Sequence, residues 1–352
     1  MSYQNGMAAL RLETPDRVPR TEYSAHMHWP LIERVTGCRV DAHSDARTQA
    51  LAGSAFLKAW DYGFYWNILT HNQIFGDQCT KMGHAVYADG GVDFSSEVHN
   101  LFEDPEDVYD YDFDEKLGPR DEQALIAEYN ADFREKCALY PDTVNMTGIY
   151  VTMMSGLIEM LGWDTLLAAA GIDIAAFGAF TDRYADWILQ YFKALAKCDS
   201  PVVMVHDDIV WTNGAFMHPE FYRAHIFPSY RKLFQPLHEA GKLILYTSDG
   251  NFTQFIDDIA ACGVNGFVLE PCTDMGYIAE KYGKTHAFVG NADTRVLLSG
   301  SRDDIFREVK RCMDIGKRCP GFFMAVGNHI PSNTPIDNAL WYNECFEVMR
   351  KR

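Results

Sequence analysis

Polar side chains with catalytic or ligand-binding chemistry stand directly after successive apolar runs of the sequence. In chain order they are Tyr150, His206, Asp207, Asp208, Thr247, Ser248, Asp249, Glu270, Cys272, Asn291, Asp293, Asn328 and His329. Carboxylates and imidazoles move protons or hold cations, and hydroxyl and amide groups orient a substrate. Polar groups that end several buried parallel strands converge on one face of an α/β fold. The pattern therefore predicts that these side chains line a functional site on that face.

Some of these residues also have a structural interpretation, which the sequence leaves open. Asp207 and Asp208 fit the cap of a following helix, because carboxylates accept hydrogen bonds from free helix N–H groups. Asp249 precedes a glycine and fits an Asx-turn. His329 is equally consistent with a structural histidine whose ring is satisfied by the protein.

Glu270 is the carboxylate with the strongest functional indication. It lies between Leu269 and Pro271, so it has few local backbone donors, and burying a carboxylate without a partner is costly. Cys272 has no flanking histidine or lysine to activate its thiol, and we interpret it as inert.

Histidine and aromatic residues concentrate in two segments of the N-terminal third. His26, His28 and Trp29 follow one short apolar run, and Tyr65 and Trp66 lie in a second. One interpretation is an ordinary barrel wall. The other is a flat apolar pocket for a planar ligand, with His26 or His28 at its polar edge.

The elements that must position these residues are short, nearly continuous apolar runs. Six are clear, at residues 144–151, 201–210, 242–250, 265–271, 286–293 and 321–331. Continuous apolarity is typical of parallel strands that are buried on both faces. Two further strands are predicted upstream, at residues 17–24 and 61–69.

Amphipathic segments separate the apolar runs and are predicted to be helices. One keeps an apolar face from Phe252 to Ala260, and another follows a capping box at residues 301–304. Eight strands that alternate with helices close a barrel. The predicted fold class is therefore α/β, a single (β/α)8 TIM barrel with an elaborated, partly helical N-terminal third.

The barrel is expected to form one domain over residues 1–352, with insertions in 25–142. These insertions include a glycine-marked hairpin at 81–94 and an acidic run at 103–116. A doubly wound open sheet is the alternative fold. The commonest functions of that fold, dinucleotide and nucleotide binding, are not indicated, because neither GxGxxG nor GxxxxGK follows any predicted strand.

Composition narrows the class of partner. The 352 residues are 47% hydrophobic and 23% charged, as in ordinary globular proteins, and 31 basic against 49 acidic residues give a net charge of −18. Such a charge disfavours nucleic acid and anionic membranes. The sequence has no apolar run of membrane-spanning length, no signal pattern and no CxxC among its scattered cysteines. These features predict a reduced, cytoplasmic protein.

Four segments carry a resemblance to a known family: PDRVPR at 15–20, VHDDIV at 205–210, LYTSDGN at 245–251 and VGNHIPSNTPIDNALWYNE at 326–344. Together they resemble the uroporphyrinogen decarboxylase superfamily. The similarity covers residues 143–352 well and the N-terminal third loosely. It implies a single barrel with an N-terminal helical elaboration, and either decarboxylation or cobalamin-dependent methyl transfer.

The decarboxylase branch of that superfamily fits the residues poorly. Its members hold the carboxylates of a tetrapyrrole with arginines shortly after the first strand, but residues 21–30 contain no arginine. Where that branch has a histidine after the glycine of strand eight, this chain has Asn328. A protein of charge −18 is also a poor host for a highly anionic substrate.

The methyltransferase branch fits better, with one departure. Many of its members activate a thiol on zinc that is bound by a histidine and two cysteines. The matching positions here are Thr247, Asp249 and Asn328, which leave no thiolate. Zinc remains a possible divalent metal by resemblance, but its family ligands are replaced.

The resemblance therefore implies transfer of a methyl group from a small donor, an aryl methyl ether, to the cobalamin of a corrinoid partner protein. The leaving oxygen needs a proton or electrostatic stabilisation. Glu270 is the candidate acid, His329 or Tyr150 the alternative donor, and Asp207 and Asp249 would orient the acid or hold a hard cation. The expected substrate-binding residues are His26, His28, Trp29, Tyr65, Trp66, His206, Asn291 and Asn328.

Two other functions stay open at this point. One is a decarboxylase-like lyase that acts on another substrate, and the other is a non-catalytic barrel that binds a planar ligand.

Overall fold

A computed structural model describes residues 2–80, 86–88, 91–93 and 99–352 of the chain. The chain divides into two compact units. The first comprises Met1–Asn67, Phe133–Met146 and Asn265–Arg352, and the second comprises Ile68–Asp132 and Thr147–Val264. Assignment of the whole chain to one domain remains a prediction.

Helices are the most frequent secondary structure among the described residues of both units. The longer α-helices are Ser2–Leu10, Trp29–Thr36, Ala46–Ala59, Glu122–Leu139, Met154–Ile172, Ile174–Lys197, Phe227–Glu239, Met275–Tyr282, Arg302–Gly316 and Ile336–Met349. Shorter helical turns are Ala25–Met27, Asn72–Phe75, Pro105–Asp110, Phe113–Lys116, Pro219–Phe221, Tyr222–Ile226, Thr253–Phe255, Ile256–Ala260 and Thr294–Ser299. Within the described ranges, no helix combines the length and the apolarity that a membrane crossing requires.

The first unit contains three parallel strands in the order Gly266–Val268, Ala287–Val289 and Phe322–Phe323. Single parallel bridges extend this series, from Met324 to Arg20, from Arg20 to Tyr62, and from Phe64 to Val144. The two upstream strands predicted at 17–24 and 61–69 therefore take part in parallel pairing.

The second unit also contains three parallel strands. Val202–His206 lies between Thr147–Ile149 and Leu243–Thr247, and a parallel bridge joins Thr70 to Ile149. All six strands predicted from residue 143 onward are confirmed, although each is shorter than its apolar run. The run 201–210 ends as a strand at His206, and Val210–Trp211 instead forms a small antiparallel hairpin with Gly214–Ala215.

The predicted hairpin at 81–94 lies only partly in the described residues. Val86–Ala88 and Gly91–Asp93 pair antiparallel, as that prediction requires. The remaining positions of the segment lie outside the described residues.

The helices follow the apolar periodicity of the sequence. In Ile174–Lys197 the buried positions Phe177, Phe180, Tyr184 and Ile188 recur every three or four residues, which places them on one face. The predicted capping box before Arg302–Gly316 is present, because Ser301 Oγ accepts from Asp304 N at 3.3 Å and Asp304 Oδ2 accepts from Ser301 N at 2.9 Å.

A buried ion pair joins distant segments of the first unit. Arg20 is 0% exposed and Glu22 is 1% exposed, and Arg20 Nη2 donates to Glu22 Oε1 at 2.8 Å. Glu22 also accepts from Val326 N at 2.9 Å and from Tyr342 Oη at 2.8 Å. The Arg20 guanidinium lies 4.3 Å from the centre of the Trp60 ring. Every oxygen of this carboxylate therefore has a protein donor.

We expect Glu22→Gln to destabilise the protein by about 3–5 kcal/mol, because it leaves the Arg20 charge buried without a counter-charge. Urea unfolding followed by circular dichroism measures this. Lys58→Gln is the matched control, since Lys58 pairs with Asp142 at 3.9 Å through largely exposed side chains. That exposed pair should contribute about 0–1 kcal/mol. Equal losses in the two variants would contradict the structural role assigned to Glu22.

Candidate functional site

A cluster of ionisable side chains lies at the C-terminal ends of two paired strands of the second unit. His206 pairs with Thr247 in register, so Asp208 and Asp249 stand at equivalent positions two residues further on. His206 Nε2 lies 2.8 Å from Asp208 Oδ1, which also accepts from Asp249 N at 2.8 Å. Ligand atoms of His206, Asp208 and Asp249 all lie within 4.8 Å of one another. The strand register therefore brings together residues that are far apart in sequence.

The His206 imidazole is held between its cluster and an aromatic ring. Its residue is 6% exposed, and the Tyr150 ring stacks on it at 3.7 Å with an interplanar angle of 23°. The exposed His71 lies on Tyr150 in turn, with ring centres 5.3 Å apart. Burial by itself lowers the pKa of His206, but the charge and hydrogen bond of Asp208 outweigh it and the pKa is raised.

Asp207 lies between His206 and Asp208 in the sequence, but its side chain is buried and accepts hydrogen bonds from interior groups. It is 0% exposed, and its carboxylate accepts from Met153 N at 3.1 Å, Ser155 N at 2.7 Å and Tyr230 Oη at 2.5 Å. Burial raises the pKa of Asp207 to about 6, against the effect of these hydrogen bonds. The two backbone donors stand at the start of the helix Met154–Ile172. Asp207 therefore does cap a helix, but this helix precedes it in the sequence and is not the following helix that we expected. The catalytic role of Asp207 remains a prediction.

A second carboxylate site belongs to the first unit and follows the strand Gly266–Val268. Glu270 is partly exposed, and its Oε1 accepts from Asn328 Nδ2 at 2.6 Å. Cys272 Sγ lies 3.9 Å from the other oxygen, Oε2. Asn328 therefore orients the predicted acid, and the two residues that the sequence named separately act as a pair.

Asn291 is committed to the backbone around this carboxylate. It is 1% exposed, and its Nδ2 donates to Glu270 O at 3.1 Å and to Thr273 O at 3.2 Å. Its Oδ1 accepts from Arg311 Nη2 at 3.0 Å. The Asn291 side chain therefore holds the loop that carries Glu270, and its hydrogen-bonding groups are occupied by this structural role. Its predicted contact with substrate remains a prediction.

Two of the predicted binding residues, His26 and Tyr65, meet in an aromatic cluster of the first unit. Their ring centres lie 5.5 Å apart, and Tyr65 lies 4.1 Å from Tyr140. His26 Nδ1 is buried without a hydrogen-bond partner. Burial, with a smaller contribution from His329, lowers the pKa of His26 to about 4. The ring is therefore a neutral imidazole near pH 7.

Trp66 and His329 both contact Tyr23 in the same unit. Ring centres are 4.7 Å apart for Tyr23 and Trp66, which meet edge to face, and 6.2 Å apart for Tyr23 and His329. Burial lowers the pKa of His329 too. The aromatic cluster, meaning Tyr23, His26, Tyr65, Trp66, Tyr140 and His329 from here on, thus combines ring faces with two neutral histidines.

The structure places His28 and Trp29 differently from the other predicted binding residues. His28 is 2% exposed, its Nδ1 accepts from Leu31 N at 3.2 Å, and its Nε2 donates to Thr334 O at 2.9 Å. Both ring nitrogens are therefore used by the protein. Trp29 begins the helix Trp29–Thr36, and among the ring contacts of the described residues it meets neither Tyr65 nor Trp66.

Sequence reasoning did not select Tyr23, Tyr140 or His71. It placed Asp208 among the polar strand-end residues, with a helix cap as the alternative, and gave it no catalytic or binding role. The signal for Asp208 was present, because His206 and Thr247 each precede an aspartate by two residues in strands that pair. No local pattern marks Tyr140, which reaches Tyr65 from a segment far away in the sequence.

A thiolate zinc centre of the kind expected in many methyltransferases does not fit this chain. In the described ranges, the one group of three or more histidine, cysteine, aspartate or glutamate side chains at ligand spacing is His206, Asp208 and Asp249. It contains no sulfur. Asn328, at one family ligand position, uses its amide nitrogen as a donor to Glu270.

Comparison with solved structures identifies a shared fold. A methyltransferase from Methanosarcina mazei superposes with a TM-score of 0.64 at 16% sequence identity, over 99% of this chain and 98% of that chain. The predicted α/β class and (β/α)8 barrel fold are thereby confirmed.

Comparison with characterised sequences identifies relatives named uroporphyrinogen decarboxylase. The protein from Syntrophotalea carbinolica is 28% identical over 57% of this chain, and the match spans 58% of its own length. The protein from Geobacter metallireducens is 22% identical over 66% of this chain and 68% of its own length. The profile of the uroporphyrinogen decarboxylase (URO-D) family matches residues 104–347, well over half of the sequence. The chain therefore belongs to the uroporphyrinogen decarboxylase family.

Proposed function

We propose that this protein is a methyltransferase that moves a methyl group from a small donor, an aryl methyl ether, to the corrinoid of a partner protein. The observation that carries the proposal is the aromatic cluster, in which aromatic rings contact one another and two neutral histidines. A neutral planar molecule matches such a lining, because it loses little hydration there and gains ring contacts.

The decarboxylase activity that the curated relatives carry in their names matches these residues less well. A tetrapyrrole with many carboxylates needs cationic groups at its binding site. The segment 21–30 contains no arginine. Arg20, just before it, is 0% exposed and bound by Glu22 and Asn343, so it offers nothing to a substrate.

The demanding part of the proposed reaction is departure of the aryl oxygen. Phenoxide is a poor leaving group unless it is protonated or bound by a hydrogen-bond donor as the bond breaks. The corrinoid, carried by the partner, supplies the nucleophile that takes the methyl group. In this chain Glu270, oriented by Asn328, is the proposed proton donor, and the neutral imidazole of His329 is the proposed alternative donor.

The assignment is tested by incubating the full chain with cob(I)alamin and a methoxylated aromatic compound, and in parallel with uroporphyrinogen. We expect methylcobalamin and the free phenol to form in equal amounts, with no carbon dioxide from uroporphyrinogen. Release of carbon dioxide without methyl transfer would replace the proposal with the decarboxylase-like alternative. Ligand binding without either product would favour the non-catalytic barrel.

We expect Glu270→Gln to lower methyl-transfer turnover by about 10²-fold, because the amide retains the acceptor for Asn328 but carries no acidic proton. Steady-state kinetics on the purified variant, with its melting temperature, checks this. Cys272→Ser is the control, since it changes a neighbouring side chain that has no proposed part in the reaction. A lowered melting temperature with unchanged turnover per folded molecule would refute the role of Glu270.

Substrate binding is expected to depend on Trp66 more than on Trp29. Trp66 belongs to the aromatic cluster, and loss of its ring contacts should weaken a planar ligand by about 0.5–1.5 kcal/mol, or roughly 2- to 10-fold. Trp29→Ala removes a ring of the same size outside that cluster and should leave affinity close to wild type. Calorimetric titration of both variants with a methoxylated aromatic compound separates the two positions. A larger effect at Trp29 would move the binding site to the start of the helix Trp29–Thr36.

A further inference from the structure

We propose that His206, Asp208 and Asp249 form a binding site for one divalent transition-metal cation with nitrogen and oxygen ligands. This site shares the position of Asp249 with the sulfur-containing zinc centre of many methyltransferases, but none of its ligands is a cysteine, and the other two ligands come from the end of the strand Val202–His206. The proposal does not depend on the methyl-transfer reaction.

The spacing of the three side chains suits one ion. Ligands about 2.1 Å from an octahedral cation lie about 3 Å apart when adjacent and about 4.2 Å apart when opposite. His206 Nε2 and Asp208 Oδ1 are 2.8 Å apart, and all three ligand atoms lie within 4.8 Å of one another. The first pair therefore already has the spacing of adjacent ligands, and separations of up to 4.8 Å would shorten to about 4.2 Å or less when an ion binds.

The hydrogen bond between His206 and Asp208 already points the two ligand atoms at each other, so an ion can replace the shared proton. Without an ion, Nε2 donates its proton to the Asp208 carboxylate at 2.8 Å. With an ion, the Nε2 lone pair coordinates it and the neutral ring carries its proton on Nδ1. The ion thus takes the place of the Nε2 proton, and the ring stays next to the same carboxylate.

The protein fixes these ligands before any ion arrives. Tyr150 stacks on the His206 ring, and Asp208 N donates to Ser155 Oγ at 2.7 Å. The turn after Asp249 is held because Gly250 adopts a φ of 85° against the Trp211 backbone, where a Cβ would approach within 2.8 Å. Rigid placement of this kind lowers the entropy that a ligand set loses on binding.

The three ligands differ in burial, so that one side of the site is open to solvent and the other is enclosed by the protein. His206 is buried, the Asp208 side chain is 17% exposed, and Asp249 is exposed. Solvent thus reaches the ion through the Asp249 side, while the imidazole holds it from the interior. An imidazole combined with two carboxylates favours Mn²⁺ or Zn²⁺ over Mg²⁺ or Ca²⁺, which prefer oxygen alone.

The site is tested with Mn²⁺ as the probe on the full chain, after treatment with EDTA and dialysis. Electron paramagnetic resonance counts free Mn²⁺ during titration, and we expect one saturable equivalent per chain. Pulsed spectra should show coupling to one imidazole nitrogen, and this coupling should disappear in His206→Gln. Asp208→Asn and Asp249→Asn should each weaken binding by about 10- to 100-fold.

Asp110→Asn is the matched control, because Asp110 is an exposed aspartate of the same unit outside the cluster. Its affinity for Mn²⁺ should equal that of the wild type. Since the Asp249 side chain is exposed, Asp249→Asn should keep the wild-type melting temperature, which separates lost binding from lost folding. Absence of saturable binding at millimolar Mn²⁺, or equal affinity in Asp249→Asn and Asp110→Asn, would overturn the proposal.

Discussion

The buried carboxylate of Asp207 is the interaction on which the arrangement of the second unit depends. It ends the strand Val202–His206 and accepts hydrogen bonds from the first residues of the helix Met154–Ile172 and from Tyr230. Tyr246 Oη also donates to its carbonyl oxygen at 3.2 Å. One residue thus fixes a strand end, a helix start and two buried tyrosines. Because successive side chains of an extended segment point to opposite sides, committing Asp207 inward places His206 and Asp208 together on the other side.

The same constraint explains why neighbouring acidic residues have different properties. Asp207 faces three donors in a dry interior, and burial raises its pKa to about 6. Asp208 lies at the boundary with solvent, where it contacts an imidazole and a backbone amide. Environment, and not residue type, therefore separates a residue that caps a helix from one that can serve a ligand.

Much of the architecture could be predicted because continuous apolar runs are an unambiguous signal for buried parallel strands. The ends of those strands could not. After two aspartates the run 201–210 ends in apolar Ile209 and Val210, which suggested a longer strand. Instead, the Asp207 carboxylate turns to the helix Met154–Ile172, and the chain enters the hairpin at Val210. The segment near residue 20 forms only single bridges to its neighbours. The hydrogen bond between the side chains of Arg20 and Glu22 helps to hold this segment in place.

The sequence located some of the candidate site residues, but it did not reveal all of their contacts. Strand ends located Glu270 and Asn328, and the structure adds that they share a hydrogen bond. His28 and Trp29 were predicted to bind substrate because they are close to His26 in the sequence. The structure gives them different surroundings from those of His26. The start of the helix Trp29–Thr36 rotates them away, with His28 capping it. Tyr140 entered through a contact between segments that are remote in sequence, which no local pattern encodes.

The aromatic cluster of the first unit and the carboxylate cluster of the second unit differ in charge, and this difference bears on the ligands that each can bind. The aromatic cluster of the first unit is uncharged near pH 7, since burial keeps His26 and His329 neutral. The cluster of the second unit holds two carboxylates against one imidazole, which is the basis of the proposed cation site. Neither lining offers the guanidinium groups that a polycarboxylate requires, because Arg20 is consumed by Glu22. The rings of the aromatic cluster suit a neutral, planar molecule, and in the proposed reaction the leaving oxygen receives its proton from Glu270 or from a neutral histidine.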